Sequence, residues 1–303
     1  MKFFEKYPML AIAIGVLGIS MSSVLVKYAD APSVVTAAYR LLWTVGLMTP
    51  VVLSKAELRR EILHTDKKLL ALCAVSGVFL ALHFTTWFES LSHTSVASSA
   101  AIVCTEVVWV ALGYLLVLKG KLTGKAVGCI LLTLLGSVVI ALSDFSGGGN
   151  HLSGDFLALA AAVFVGVYTL IGRVARGHMS TTAYTYVVYV FCALSLVLAA
   201  AAGGVPLTGY GGGNVVIGLL LCVCSTLLGH SIFSWGLKFF SPAFISASKM
   251  CEPVLSAIFA LFLFQEIPLP LQIIGGVVTI GGVLLYSREE NRMNEASQEK
   301  DKL

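Results

Sequence analysis

Ten apolar stretches, each about as long as a bilayer is thick, succeed one another along this chain. They run near 9–28, 32–53, 69–91, 96–118, 124–143, 154–173, 181–203, 215–237, 242–264 and 268–286. At about 1.5 Å per helical residue, some 20 residues cross roughly 30 Å of hydrocarbon. Lipid offers no partner to a backbone N–H or C=O, so a crossing segment must be a helix or a strand of a closed barrel. Runs rich in Leu, Ala and Gly, without period-two alternation, select the helix. The breaks carry turn or charge signals: "ADAPS", "SKAELRREILHTDKK", "LSHTS", "KGKLTGK", "SDFSGGGNHLSGD", "ARGHMST", "GGVPLTGYGGGN", "FFSPA" and "QEIPLP". The expected fold is all-α, a polytopic membrane protein of ten transmembrane helices.

Composition agrees. Hydrophobic residues make up 57% of the 303 and charged residues 12%, against about 45–50% and 25% in soluble domains. So few charges cannot cover a water-facing surface. The net charge of +4 is absorbed by membrane orientation, which argues against nucleic acid as a partner. Seven cysteines lie in apolar runs without metal-ligand spacing, and they read as small buried hydrophobes. The run Met9–Val26 exceeds the roughly 7–15 residues of a signal-peptide core, so it reads as a retained first span.

Lys and Arg set the direction of insertion. With the N-terminus inside, 17 of the 20 fall on the inner side, from Lys2 and Lys6 to Lys300 and Lys302. The outer loops hold none. Both termini are therefore expected in the cytoplasm, in a plasma-membrane protein. The tail "REENRMNEASQEKDKL" reads as solvated and disordered.

The three remaining cations, Lys27, Arg40 and Lys249, lie in or at the end of spans. They belong to a sparse set of polar residues that repeats. At an offset of 146, Glu106 maps onto Glu252, Lys27 onto Arg173, Ser95 onto Ser241 and Gly136 onto Gly282; His83 maps onto His230 with one residue of slippage. A unit of five spans is odd, so the second copy must enter the membrane inverted, the arrangement that places transporter sites at the midplane between halves. The expected division is a cytoplasmic N-terminus at 1–8, five-helix repeats at 9–146 and 152–287, and a cytoplasmic tail at 288–303.

Three stretches carry a family resemblance: "VLVKYADAPSVVTAAYRLLW", "GDFLALAAAVFVGVYTLIGR" and "EPVLSAIFALFLFQEIPLPLQIIGGVVTIGGVLL", the last with Glu252-Pro253, Glu266, Gly275 and Gly282. In these the chain resembles an EamA-type member of the drug/metabolite transporter superfamily. That resemblance implies ten helices in two inverted repeats, and export or exchange of small metabolites through a central cavity. The first half departs from the pattern, with Val107 in the place of Pro253 and Gly120 in the place of Glu266.

Glu106 and Glu252 each lie ten residues into their spans, about 15 Å deep. A carboxylate at that depth can carry a proton between faces, pair with a cation, or form a structural hydrogen bond between helices. Lys249 shares a helical face with Glu252 at i, i+3. It can neutralise Glu252, or pair across the cavity with Glu106 and leave Glu252 for substrate or proton; its amine would also suit a substrate carboxylate, as in a zwitterion. His83 and His230 lie about two-thirds along their spans, one expected towards the outside and one towards the cytoplasm, where imidazoles can relay protons. Trp87 shares a face with His83, and the neighbouring aromatics can line a cavity or face lipid. Arg40 lies some 12 Å inside and needs a partner, guarding an outer vestibule or bridging helices. Pro253 should kink its helix.

The substrate- or proton-binding candidates are thus Glu252, Glu106, Lys249, His83, His230, Trp87 and Arg40, with no cofactor, metal or catalytic residue assigned. The expected function is secondary active transport, by alternating access, of a small polar or amphipathic metabolite such as an amino acid, with protons as a coupling partner, the bilayer as surroundings, and a monomer or homodimer as assembly. Absence of G-x-x-x-x-G-K-[ST], G-x-S-x-G and H-E-x-x-H argues against ATP drive and against an enzyme. The alternative is a membrane-embedded lipid-handling or interaction protein without solute transport.

Overall fold

The computed structural model describes residues 2–94, 96–143, 152–264 and 269–300. In chain order the helices are α1 (Lys2–Lys6), α2 (Pro8–Lys27), α3 (Ser33–Ser54), α4 (Ala56–His64), α5 (Lys67–His93), α6 (Val96–Cys104), α7 (Glu106–Leu116), α8 (Gly124–Ser143), α9 (Leu152–Ala175), α10 (Thr181–Ala202) and α11 (Gly211–Leu220). A π-helical segment Leu221–His230 follows, then α12 (Ser231–Gly236), α13 (Pro242–Lys249), α14 (Glu252–Phe264) and α15 (Pro270–Lys300). Among the described residues there is no strand, and eight helical runs are long and apolar enough to cross a membrane. The expected fourth and fifth spans contain the shorter apolar helices Ile102–Leu116 and Gly124–Ile140. Ser95 and Glu266, used as sequence markers, lie outside the described residues.

Two expectations are corrected. The charged segment after the second span is not all loop: Leu58 and Ile62, one turn apart, seat α4 against the core. The C-terminal segment is not irregular, because α15 runs on to Lys300. Two buried side chains one turn apart, Tyr286 and Glu290, hold the extension down. Glu290 accepts from both the N–H and the hydroxyl of Ser241, the N-cap of α13. Glu61 of α4 does the same for Ser180, the N-cap of α10.

Helix pairings in the first half recur in the second. The third span, α5, packs along α9, and the eighth, carrying the π-helix, packs along α2; α6 and α7 pack on α9 as α13 and α14 pack on α2. The pair α8–α15 is the most telling. The two helices run antiparallel, since Thr123 meets Glu289 and Ile140 meets Gly275. A Cβ on Gly136 would fall 2.6 Å from the Thr279 nitrogen, and one on Gly282 would fall 2.9 Å from the Thr133 nitrogen. Thr133 and Thr279 are themselves 146 apart. The contact therefore exchanges with itself when the halves are exchanged. Only residues without a side chain allow backbones so near.

Two apolar clusters flank the middle. One gathers α3, α5, α9 and α10 around Phe84, Tyr184 and Tyr189. The other gathers α2, α7, α8, α13 and α15 around Phe244, Ile245 and Tyr286, joined by Phe233 of α12.

Candidate functional site

Two expected spans are interrupted at equivalent places. In the fourth, α6 ends at Cys104 and α7 starts at Glu106. Thr105 closes the break, its N–H and hydroxyl both bonding the carbonyl of Ile102, at 3.0 and 2.6 Å. In the ninth, α13 ends at Lys249 and α14 starts at Glu252. The turn residues Met250 and Cys251 bond three residues back, to Ala247 and Ser248. Pro253 has no N–H for the carbonyl of Lys249 and crowds it, so the expected kink falls in the turn before the proline. Each carboxylate thus opens a half-helix, where N–H groups without helical partners favour negative charge.

All seven candidates, Arg40, His83, Trp87, Glu106, His230, Lys249 and Glu252, line one cavity of about 50 Å³. The open question over Lys249 is resolved: its Nζ lies 3.0 Å from Oε1 of Glu106, with both side chains buried, and 5.6 Å from the Phe233 ring centroid. Among the described residues no group lies within hydrogen-bond or ion-pair reach of the Glu252 carboxylate. The helix is interrupted between Lys249 and Glu252, and although both line the cavity they do not form an ion pair.

Arg40 is 1% exposed. Its Nε donates to Thr226 Oγ1 at 2.7 Å and Nη1 to Ser22 Oγ at 3.4 Å, while the guanidinium lies 4.2 Å over the Phe84 ring. It bridges α2, α3, α5 and the π-helix. Its Nη2 has no partner.

The histidines are corrected in position. Rather than standing towards opposite faces, their rings lie 6.4 Å apart. His83 Nδ1 donates to the carbonyl of Ala161 at 3.0 Å, and the ring stacks on Trp87 at 5.9 Å and 12°. His230 packs against Phe84 and Tyr168. Its Nδ1, like Trp87 Nε1, Ser225 Oγ and Ser246 Oγ, is buried without a partner. Phe88, Phe233 and Trp235 are buried but are not among the residues lining the cavity.

Sequence reading missed Ser22, Ser225, Thr226 and Ser246. Their signal was hydroxyls in the spans, in "SMSS", "CSTLLGH" and "SASK". Ser225, Thr226 and His230 lie in the π-helix, a wider turn that occurs mostly as short bulges at functional sites. Among the described residues no cluster of His, Cys, Asp and Glu could hold a metal.

Among the described residues this lining joins an ion pair, a carboxylate without a partner, and buried polar atoms without hydrogen-bond partners.

Comparison with known proteins agrees with a carrier. An uncharacterized transporter of Clostridium kluyveri is 22% identical over 249 residues, covering 80% of this chain and 79% of the relative. One of Archaeoglobus fulgidus is 26% identical over 267 residues, covering 84% and 88%. A solved structure described only as the crystal structure of a protein superposes with a TM-score of 0.75 at 17% identity, covering 94% of this chain and 97% of its own, which shows the shared fold. The profile of the EamA-like transporter family matches twice, at residues 6–142 and 152–288. With that match running through nearly all of a multi-pass membrane chain, the protein belongs to the EamA-like transporter family.

Proposed function

We propose that the protein is a secondary active transporter, an exporter or exchanger in the plasma membrane, that moves small zwitterionic metabolites of the amino-acid class by alternating access, with proton coupling. In this reading ten helices form two inverted five-helix repeats, 9–146 and 152–287, with the cavity at their interface. Support comes from the two family matches, whose starts and ends are both 146 apart, and from the antiparallel, self-exchanging contact between α8 and α15. The helix breaks at Thr105 and Cys251, also 146 apart, add to it. Interrupted helices at a repeat interface are how such folds build a midplane site.

One observation carries the substrate reading: a carboxylate without a partner and a guanidinium with a free N–H line the same small cavity. Lys249 is held by Glu106, so the anion-binding role passes to Arg40 Nη2 and Trp87 Nε1, both donors. Glu252 receives the substrate ammonium when ionised. When empty it takes a proton instead, and exclusion of one by the other couples their movements. Each binding leaves fewer unpaired buried groups, which favours closure of the repeats around an occupied site. A lipid-handling role fits less well, since these polar groups converge inside the bundle.

The test is flux in proteoliposomes across a panel of amino acids, organic anions and organic cations, with and without a pH gradient. Zwitterion flux that a gradient accelerates is expected, and Glu252→Gln should insert normally yet lose most of it. Unchanged flux in that variant would make the carboxylate architectural. Flux indifferent to the gradient would remove proton coupling, and no flux of any panel member would remove the transport reading.

A further inference from the structure

Away from the cavity, α8 and α15 leave a groove between them near the start of α8. There a Cβ on Gly128 would meet nothing within 4 Å, and the groove has a volume of about 450 Å³. Its walls are Gly128, Cys129, Leu132 and Leu285. Three cations, Lys125, Arg288 and Arg292, stand at its rim. Polarity is ordered along both helices. On α8, Leu132 lies deep, Cys129 and Gly128 a turn nearer the end, and Lys125 at the end. On α15, Leu285 lies deep, Arg288 a turn nearer the end, and Arg292 one turn further.

The charges are available. Lys125 and Arg288 are exposed and make no hydrogen bond or ion pair with any described residue. The groove's carboxylate, Glu289, is engaged: it accepts from Thr123 Oγ1 at 2.8 Å and lies 3.7 Å from Arg292 Nη1. Lys119 and Lys121, in the connection before α8, add charge at this end of the helix. Exposed leucines, Leu131 and Leu135 on α8 and Leu284 on α15, continue the apolar faces inward.

We propose that this groove is a binding site for an anionic phospholipid, its phosphate held by Lys125, Arg288 and Arg292 and one acyl chain lying along Leu132 and Leu285. A free anion would use the cations and leave the leucines idle. A second protein copy would have to cover Lys125 and Arg288, two exposed cations that pair with no carboxylate among the described residues. A lipid matches both ends at once, and basic pockets between spans at a membrane surface do hold such headgroups. The inference rests on membrane embedding and is independent of what the cavity carries.

The experiment is native mass spectrometry of the full-length chain released from micelles containing phosphatidylglycerol, phosphatidylcholine, or both. Preferential retention of phosphatidylglycerol is expected, unaffected by millimolar inorganic phosphate. Lys125→Gln with Arg288→Gln should weaken retention about thirtyfold (about 2 kcal/mol for two cations). Lys67→Gln with Lys68→Gln, a basic pair elsewhere, should leave it unchanged. Equal retention of the two lipids by the unmodified protein overturns the proposal without any variant, as does equal loss in both double variants. Competition by phosphate would mean that the site reads a free anion. A change of oligomeric state in the groove variant would mean that a second copy sits there.

Discussion

Lys249 and Glu106 neutralise one another in a place where neither could stand alone. A buried pair of this kind adds little net stability over apolar residues of similar size, but removing one partner strands the other at a cost of about 3–5 kcal/mol. Lys249→Met should therefore destabilise the protein by about that amount, read as a lowered melting temperature in detergent. Adding Glu106→Gln should recover most of the loss, because the stranded carboxylate becomes a neutral amide. Adding Glu252→Gln to Lys249→Met should recover little, since Glu252 has no partner within ion-pair reach. If Glu252→Gln rescued and Glu106→Gln did not, the pairing would be reversed, and the ammonium would lose its proposed receptor.

At the scale of helices, the α8–α15 seam has a prediction whose sign is set by two opposed terms. Gly→Ala in a helix interior gains about 1 kcal/mol in propensity where there is room. Overpacking costs about 1–3 kcal/mol where there is none. Gly136→Ala and Gly282→Ala both meet backbone, so each should lower the melting temperature, and by similar amounts because their contacts are reciprocal. Gly281→Ala, beside Gly282 but with nothing within 4 Å of its Cβ, should be neutral or stabilising. A seam that tolerated all three would show that these helices are not held this close.

The same scale marks what could be read from the chain and what could not. Eight of the ten expected spans, the seam glycines and the residues that line the cavity were legible because a long apolar run, and a charge or a glycine within one, is conspicuous in one dimension. The partner of Lys249 was not. Neighbour rules at i, i+3 presume an unbroken helix, and the helix breaks at Met250 and Cys251 between Lys249 and Glu252. The break at Thr105 had no proline to announce it, and nothing in "LCVCSTLLGH" distinguishes a π-helix from an α-helix. Placing the histidines apart assumed that depth follows position along a straight span, whereas His83 on the unbroken α5 and His230 at the end of the π-helix have their rings 6.4 Å apart. The extension of α15 depends on Glu290 meeting Ser241 from a distant part of the chain, a contact that local composition does not encode.

For the whole molecule, inversion and orientation are linked. If the repeats are inverted, the five-span unit ends on the side opposite its start, so the connection between halves lies across the membrane from both chain termini. The distribution of Lys and Arg predicts cytoplasmic termini, because translocating a basic loop against the membrane potential is costly and 17 of the 20 cations would otherwise have to cross. Alkaline phosphatase, which folds only outside the cytoplasm, and a fluorescent protein that matures only inside it report the two sides. Fusion after Gly209, in the cation-free connection between α10 and α11, should give an active phosphatase and a dark fluorescent protein. Fusions after Lys121 and after Lys300 should give the reverse. An active phosphatase at Lys300 together with a bright fluorescent protein at Gly209 would turn the molecule over and move the lipid groove to the outer leaflet. The same report from Lys121 and Gly209 would leave an even number of crossings between them, and the five-plus-five inverted arrangement would fail.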